Sequence, residues 1–427
     1  MRTLLLVVFA FFASTHAQAD YPLAKSLADR VILPTYTELV TRLQGLEGAA
    51  RSLKAKPTPT NLEAARTAWK TARIPYERSE GFAFGPIGDY DPLLDTWPID
   101  REGLEALLKG SHPLSAAAFA KLPPEVRGFH AVEYLLWGLK GQKKAAQLRP
   151  RELQYIELAS ADMVRQAKAN LQAWQQGFYA RFTRPSDLYP NEAAALDEIM
   201  RGLAGIIAEI ADEKLGNPLR ANDPLVAESP FSGNSLEDYR QDLEGARLYY
   251  FGGQAAEQKA GIAGWIAAQD PGSHTAILRG FSLTKEALAS IPAPFAAALQ
   301  TRSGQARIKT AQAALQNLRG LLESRAVGLV RKQQSPFDQL RSQLRAVSDE
   351  YIGEGEISEA LEAFDGVHAA MANLRPLLSQ NPQALQALEQ ALRNVEELVH
   401  SGAAAAEVKA ALEVVTQSIA QAEQAGK

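Results

Sequence analysis

The sequence predicts an all-α protein built as antiparallel helical bundles, on three observations. Ala, Leu, Gln, Glu and Arg are abundant, and these residues lose little side-chain freedom in a helix. Apolar residues recur at three- and four-residue steps over long stretches. Val and Ile are not concentrated in alternating runs, and no pair of candidate strands flanks a turn.

The first element is not part of the fold. Met1-Arg2 gives a positive start, Leu4 to Ala13 an apolar core and Ala17-Gln18-Ala19 a small-residue cleavage site. Residues 1–19 therefore read as a secretory signal peptide cut near Ala19-Asp20, with an apolar run too short to span a bilayer. No cysteine follows the cut, so no lipid-anchored thiol is expected. The chain has no cysteine at all, which removes disulfides, thiolate metal sites and cysteine nucleophiles. No later segment is apolar enough to cross a membrane, and the expected location is a bacterial periplasm. Cleavage takes away Arg2 and makes the net charge of −4 one unit more negative, which gives no reason to expect nucleic acid as a partner.

The remaining chain is long enough for two or three domains. Residues 20–222 are read as a first bundle, with a helix through Leu62, Ala65, Trp69 and Ala72 that Thr60-Asn61 would cap. Periodic runs over Glu152 to Phe182 and Glu192 to Glu213 come next. Pro, Gly, Asn and Asp cluster in Gly216 to Asn234, a linker or a long ordered crossover, and a domain boundary is placed there. Residues 223–334 form a second bundle with runs over Ser235 to Phe251 and Gly304 to Val330. A break near Gln333-Gln334-Ser335-Pro336 opens a C-terminal extension over 335–427. Its stripes (Leu374, Leu377, Leu378, Leu385, Leu388, Leu392, Val395, Leu398, then Val408, Leu412, Val415, Ile419) predict a helical hairpin, with Asn381-Pro382 as a helix start.

The chemistry concentrates in three places. Gly128 to Gly138, GFHAVEYLLWG, sets His130 and Glu133 three residues apart on one face of an apolar helical run. Burying both is costly unless a metal ion or a hydrogen bond satisfies them. Glu77 and Glu80 form a second i, i+3 pair. The irregular stretch from Gly81 to Arg101, with Asp89, Asp91, Asp95 and Asp100, is unusual for a bundle and more often functional than passive. Facing pairs of this kind are how helical bundles build carboxylate-rich metal sites, and oxygen ligands with one imidazole suit iron or another divalent ion better than copper. Each feature has a plainer reading. One HxxE arises by chance about once in a few proteins. His130 and Glu133 could form a local pair, Glu77 could pair with Arg73 or Arg78, and the aspartates could be Asx-turn residues. Trp69, Trp97 and Trp137 read as core. HExxH, GxSxG, GxxxxGK[ST] and GxGxxG motifs are all absent.

Three separated blocks resemble the imelysin family, also called insulin-cleaving metalloproteases. They are the GxHxxE motif at Gly128, His130 and Glu133, the block Ala72-Arg73 with Tyr76 to Gly85, and NSLEDYRQDLEGARLYYFG from Asn234 to Gly252. The resemblance covers roughly Tyr21 to Val330 and not the tail after Ser335. It implies two bundles of approximate internal symmetry with the GxHxxE helix near their junction, export to the bacterial envelope, and an association with iron. Related periplasmic iron-uptake components imply a ligand set of Glu77, Glu80, Asp95 and His130, with Glu133 adjacent and Asp91 or Asp100 as substitutes for Asp95.

The sequence supports three functional expectations. The leading one is a periplasmic metal-binding protein serving iron acquisition, with a divalent or ferric ion as cargo, zinc as the other metal considered, and an envelope iron-transport or receptor protein as partner. The second is a metallopeptidase whose metal-bound water is activated with Glu133 as general base. The third leaves HxxE structural and gives the bundle surface and tail a scaffolding role.

Overall fold

The structure, a computed structural model, describes residues 20–111, 113–253, 261–348, 351–352 and 357–425, so the expected signal peptide lies outside the described residues. Among the described residues the regular structure is helical, with no strand. Helix α1 (Leu33–Ala55), not singled out from the periodicity, pairs with α2 (Pro59–Glu80). Thr58 caps α2 by accepting from the Asn61 N–H, two residues earlier than the expected Thr60-Asn61, because Pro59 takes the first helical position, where a missing N–H costs nothing. The stretch after α2 contains the short helix α3 (Asp91–Asp95), and α4 (Gly128–Trp137) carries the GxHxxE residues. Helix α5 (Pro150–Ala173) closes this group by packing on α1 and α4.

Helix α6 (Glu192–Glu209) runs directly into a π turn over Ile210–Lys214. The extra residue in a π turn rotates the succeeding side chains relative to a regular helix, and here it brings Lys214 inward, 7% exposed. Residues 216–234 are an ordered crossover, with a short helix at Gly216–Ala221 and a 3-10 turn at Pro224–Val226. Helix α7 (Ser235–Phe251) then packs on α2, with α6 and α8 (Pro271–Ala289) around its other sides, and α9 (Arg302–Leu321) packs on α8 and α6. The α2–α7 approach depends on Gly245, where a Cβ would overlap the Arg78 backbone. One continuous apolar core runs from Tyr21 to Val330 across both groups of helices. At ~1.5–3 kcal/mol for each fully buried large aliphatic or aromatic side chain, it holds α2, α4 and α7 in fixed relation.

The C-terminal region folds around a separate apolar core. The expected hairpin is there as α12 (Pro382–His400) against α13 (Ala405–Ala425), with Asn381 capping α12 through the Ala384 N–H. A further pair, α10 (Pro336–Ser348) with α11 (Ile357–Leu374), precedes it in the chain and completes a four-helix unit. Its attachment to the body includes polar contacts at the start of α6. Asn191 donates to Asp338 at 2.8 Å, Ser342 donates to Asp197, and Arg345 pairs with Glu198 at 3.1 Å. Among the described residues no helix is long and apolar enough to cross a membrane.

Candidate metal centre

The N-terminus of α4 is pressed against the end of α3. Gly128 has φ +71°, a region L side chains avoid, and any Cβ there would overlap the Leu94 carbonyl. That close approach sets Asp95, at the end of α3, opposite His130, in the first turn of α4. The Trp69 indole N–H donates to the Phe129 carbonyl at 2.9 Å and ties α2 to the same turn.

His130 is fully buried. Its Nδ1 lies 3.2 Å from Glu133 Oε2, and the other Glu133 oxygen accepts the Ser232 backbone N–H at 2.7 Å. On the opposite edge of the ring, Nε2 stands 3.2 Å from Asp95 Oδ1 and 3.3 Å from Glu228 Oε1. It points between them and makes no aligned hydrogen bond to either. Trp97 covers the ring face at a centroid separation of 4.7 Å. Asp95, His130 and Glu228 each offer a ligand atom within 4.8 Å of the others, as do Glu77, Glu80 and Asp95. Ligand atoms ~2.1 Å from a shared ion sit ~3.0–3.4 Å apart in octahedral or tetrahedral arrangements, so the two contacts of Nε2 fit the first triad.

Two buried cations stand among these acids. The Arg73 guanidinium pairs with Glu77 and Asp95, with Glu228 at 2.9 Å and with Asp238 at 3.5 Å, and aromatic faces of Trp69, Tyr76 and Phe129 enclose it. The Lys214 ammonium pairs with Glu80, with Glu77 at 3.4 Å, and with Glu209 and Asp242 each at 3.3 Å. The acids outnumber the cations, and the titration behaviour reflects that excess. Burial lifts Glu77, and Arg73 and Lys214 only partly offset it, leaving its carboxyl at about 8. Burial likewise lifts Glu80 and Asp242 well above the usual carboxylate value and raises Asp238. Glu228 goes the other way. Burial opposes its charge, yet Lys214, His130 and Arg73 outweigh that and hold it well below the usual range. For His130, burial opposes the imidazolium, but Asp95, Glu133 and Glu228 push it up to about 10. A cavity of about 890 Å3 opens beside the cluster, lined among others by Glu80, Asp95, Glu209, Lys214 and Glu228.

The family model of imelysin matches residues 32–322. The chain belongs to the imelysin family. It is 31% identical over 334 residues to iron-regulated protein A of Synechococcus elongatus, covering 76% of this chain and 90% of that relative. Among solved structures it is similar to one described as an iron-regulated protein A precursor from Parabacteroides distasonis (TM-score 0.63, 24% identity, 75% of this chain and 97% of the other). It is also similar to an imelysin-like protein from Psychrobacter arcticum (TM-score 0.57, 16% identity, 72% and 96%). These two likenesses concern the fold. The imelysin match ends at residue 322, before the four C-terminal helices begin.

In this imelysin the three fixed motif positions have separate structural parts. Gly128 admits the α3 backbone, His130 presents Nε2 to two carboxylates, and Glu133 grips Nδ1 from the far side. The structure brings Glu77, Asp95, His130 and Glu133 into one buried cluster with Glu80 at its edge. It does not place them alike: Glu133 is on the ring edge away from Asp95, while Glu77 and Glu80 face Lys214. Asp91 accepts from the Tyr76 hydroxyl at 2.6 Å, and Asp100 caps the helix Arg101–Lys109. The pattern left out Glu228, Asp238, Asp242 and Lys214. Asp238 and Asp242 form an i, i+4 pair inside the third family block, which was a usable signal. Glu228 sits in an irregular crossover and Lys214 in a π turn, where periodicity carries no information.

Proposed function

We propose that this imelysin is an exported metal-binding protein of iron handling, and that Asp95, His130 and Glu228 hold the ion. The observation that carries the reading is the buried His130 Nε2, without an aligned hydrogen bond and directed between two carboxylates from separate elements. Imidazole with carboxylates is a donor set for iron or zinc, and the absence of cysteine leaves no soft thiolate to favour copper(I). Glu133 is the outer partner of the imidazole, fixing its orientation and tautomer, as carboxylates behind metal-bound histidines commonly do. Arg73 plays the same outer part for Asp95 and Glu228. The name of the Synechococcus relative, iron-regulated protein A, supports iron as the cargo. The first nineteen residues support export. Asp95 and Glu228 line the acidic cavity, which suits capture and release of a cation.

The peptidase reading fares less well, because Glu133 has one oxygen on Nδ1 and the other on the Ser232 N–H. It does not face the position of a metal-bound water. A second reading is favoured by Arg73 and Lys214: the cluster is a permanent ion-pair network joining the two groups of helices. Calorimetric titration with Fe(II), Fe(III), Zn(II) and Cu(II) separates the two. The metal reading expects one equivalent per chain, lost in His130→Ala, and absence of binding by every metal would overturn it.

A further inference from the structure

Asp95 belongs to two triads, one completed by His130 and Glu228 and the other by Glu77 and Glu80. Both draw on acidic side chains that are buried or nearly so, and both have members lining the same cavity. They differ in what already lies among them. We infer that Lys214 is a tethered cation that occupies the Glu77–Glu80–Asp95 side and confines metal to the His130 side, so that the site takes one ion where its acids could hold two. This rests on the metal reading above.

The geometry carries the inference. The Lys214 ammonium touches Glu80, lies 3.4 Å from Glu77 and 3.3 Å from Asp242, and stands 3.9 Å from Glu228 Oε2. An ion bound by Glu77 and Glu80 would sit ~2.0–2.2 Å from their oxygens. The ammonium and the ion would then contact the same lone pairs, and two cations cannot share that space. Lysine is suited to this part because its charge is compact and its three donors can be divided among several carboxylates. The π turn Ile210–Lys214 is the backbone feature that delivers it. Lys214 also lines the cavity from which an ion would enter. Among the described residues the Glu77–Glu80–Asp95 group has no imidazole, and the bases that face Glu77 and Glu80 are the Arg73 and Lys214 cations.

The test is the stoichiometry of Fe(II) binding under argon, with Zn(II) as a redox-inert check, to the full-length wild type and to Lys214→Met. The inference expects one equivalent for the wild type and two for the variant, with the second lost again in Lys214→Met/Glu80→Gln. Removing Lys214 leaves excess buried acid, so Lys214→Met/Asp242→Asn is run beside it. That pair keeps Glu77, Glu80 and Asp95 while relieving one charge, and it too should bind two ions. One equivalent in both the wild type and a folded variant overturns the inference and leaves the metal reading standing. Two equivalents in the wild type also overturn it. No binding to the wild type overturns the metal reading itself.

Discussion

The two sides of Asp95 show how one acidic cluster can hold different occupants. On the His130 side, an imidazole faces Asp95 and Glu228 and is steadied from behind by Glu133. On the Glu80 side, an ammonium is wrapped by Glu77, Glu80, Glu209 and Asp242. An imidazole can give up its proton and become a ligand, whereas a lysine ammonium at this position competes with a metal. Arg73 spans the two sides, pairing with Glu77 on one and Glu228 on the other. Acid count alone therefore does not locate a metal site. On the proposed metal reading, the base that faces the acids decides it.

The largest expected effect comes from removing the cation common to both sides. Arg73→Met leaves Glu77, Asp95, Glu228 and Asp238 buried without their shared cation, and chemical denaturation should record a loss of about 3–5 kcal/mol. A change under about 1 kcal/mol would mean that the network contributes little to stability. Gly128→Ala should cost about 2–3 kcal/mol, from the positive φ and the overlap with Leu94, and should weaken metal binding by displacing Asp95. Unchanged affinity in that variant would separate Asp95 from the site.

Glu133→Gln tests the His130 side alone. As an outer partner, its loss should weaken metal binding about 10–100-fold while leaving one equivalent bound. Complete loss of binding would make Glu133 a direct ligand. The metal-free protein should also lose stability as pH rises. His130 is raised in the folded state from 6.5 to about 10, so its contribution is complete below about 6.5 and is lost as pH passes through about 10. Glu77, raised from 4.5 to about 8, acts in the same sense over its lower window. Thermal melting in the absence of metal should therefore fall between about pH 4.5 and about pH 10, and His130→Gln should flatten the part of that fall above about pH 6.5. The smallest effect belongs to a residue outside both sides. Thr58→Ala removes only the α2 cap, costs about 1 kcal/mol, and should leave metal affinity as it is.

The helical class, the run Ser235–Phe251 and the C-terminal hairpin were legible because they rest on local periodicity. His130, Glu133, Glu77 and Glu80 were legible because pairs three apart on a helix share a face. Asp95 came from the family resemblance, and Gly128 explains it physically by admitting the α3 backbone. Glu228 and Lys214 were not legible. Most of their partners lie far away in the chain, and a crossover and a π turn break the register by which a sequence reveals which face a residue occupies. Arg73 was visible as a neighbour of Glu77 and as a position of a family block, but not in its pairing with Asp95, Glu228 and Asp238, which exists only after α2, α3, the crossover and α7 have packed.

Anomalous diffraction from crystals of the full chain loaded with iron or zinc tests the central claim most directly. The expected result is one metal peak per chain, at ~2.0–2.2 Å from His130 Nε2 and bounded by Asp95 and Glu228, with the Lys214 ammonium still among Glu77, Glu80 and Asp242. A peak between Glu77 and Glu80 with Lys214 displaced, or no peak in the cluster at full loading, would contradict it.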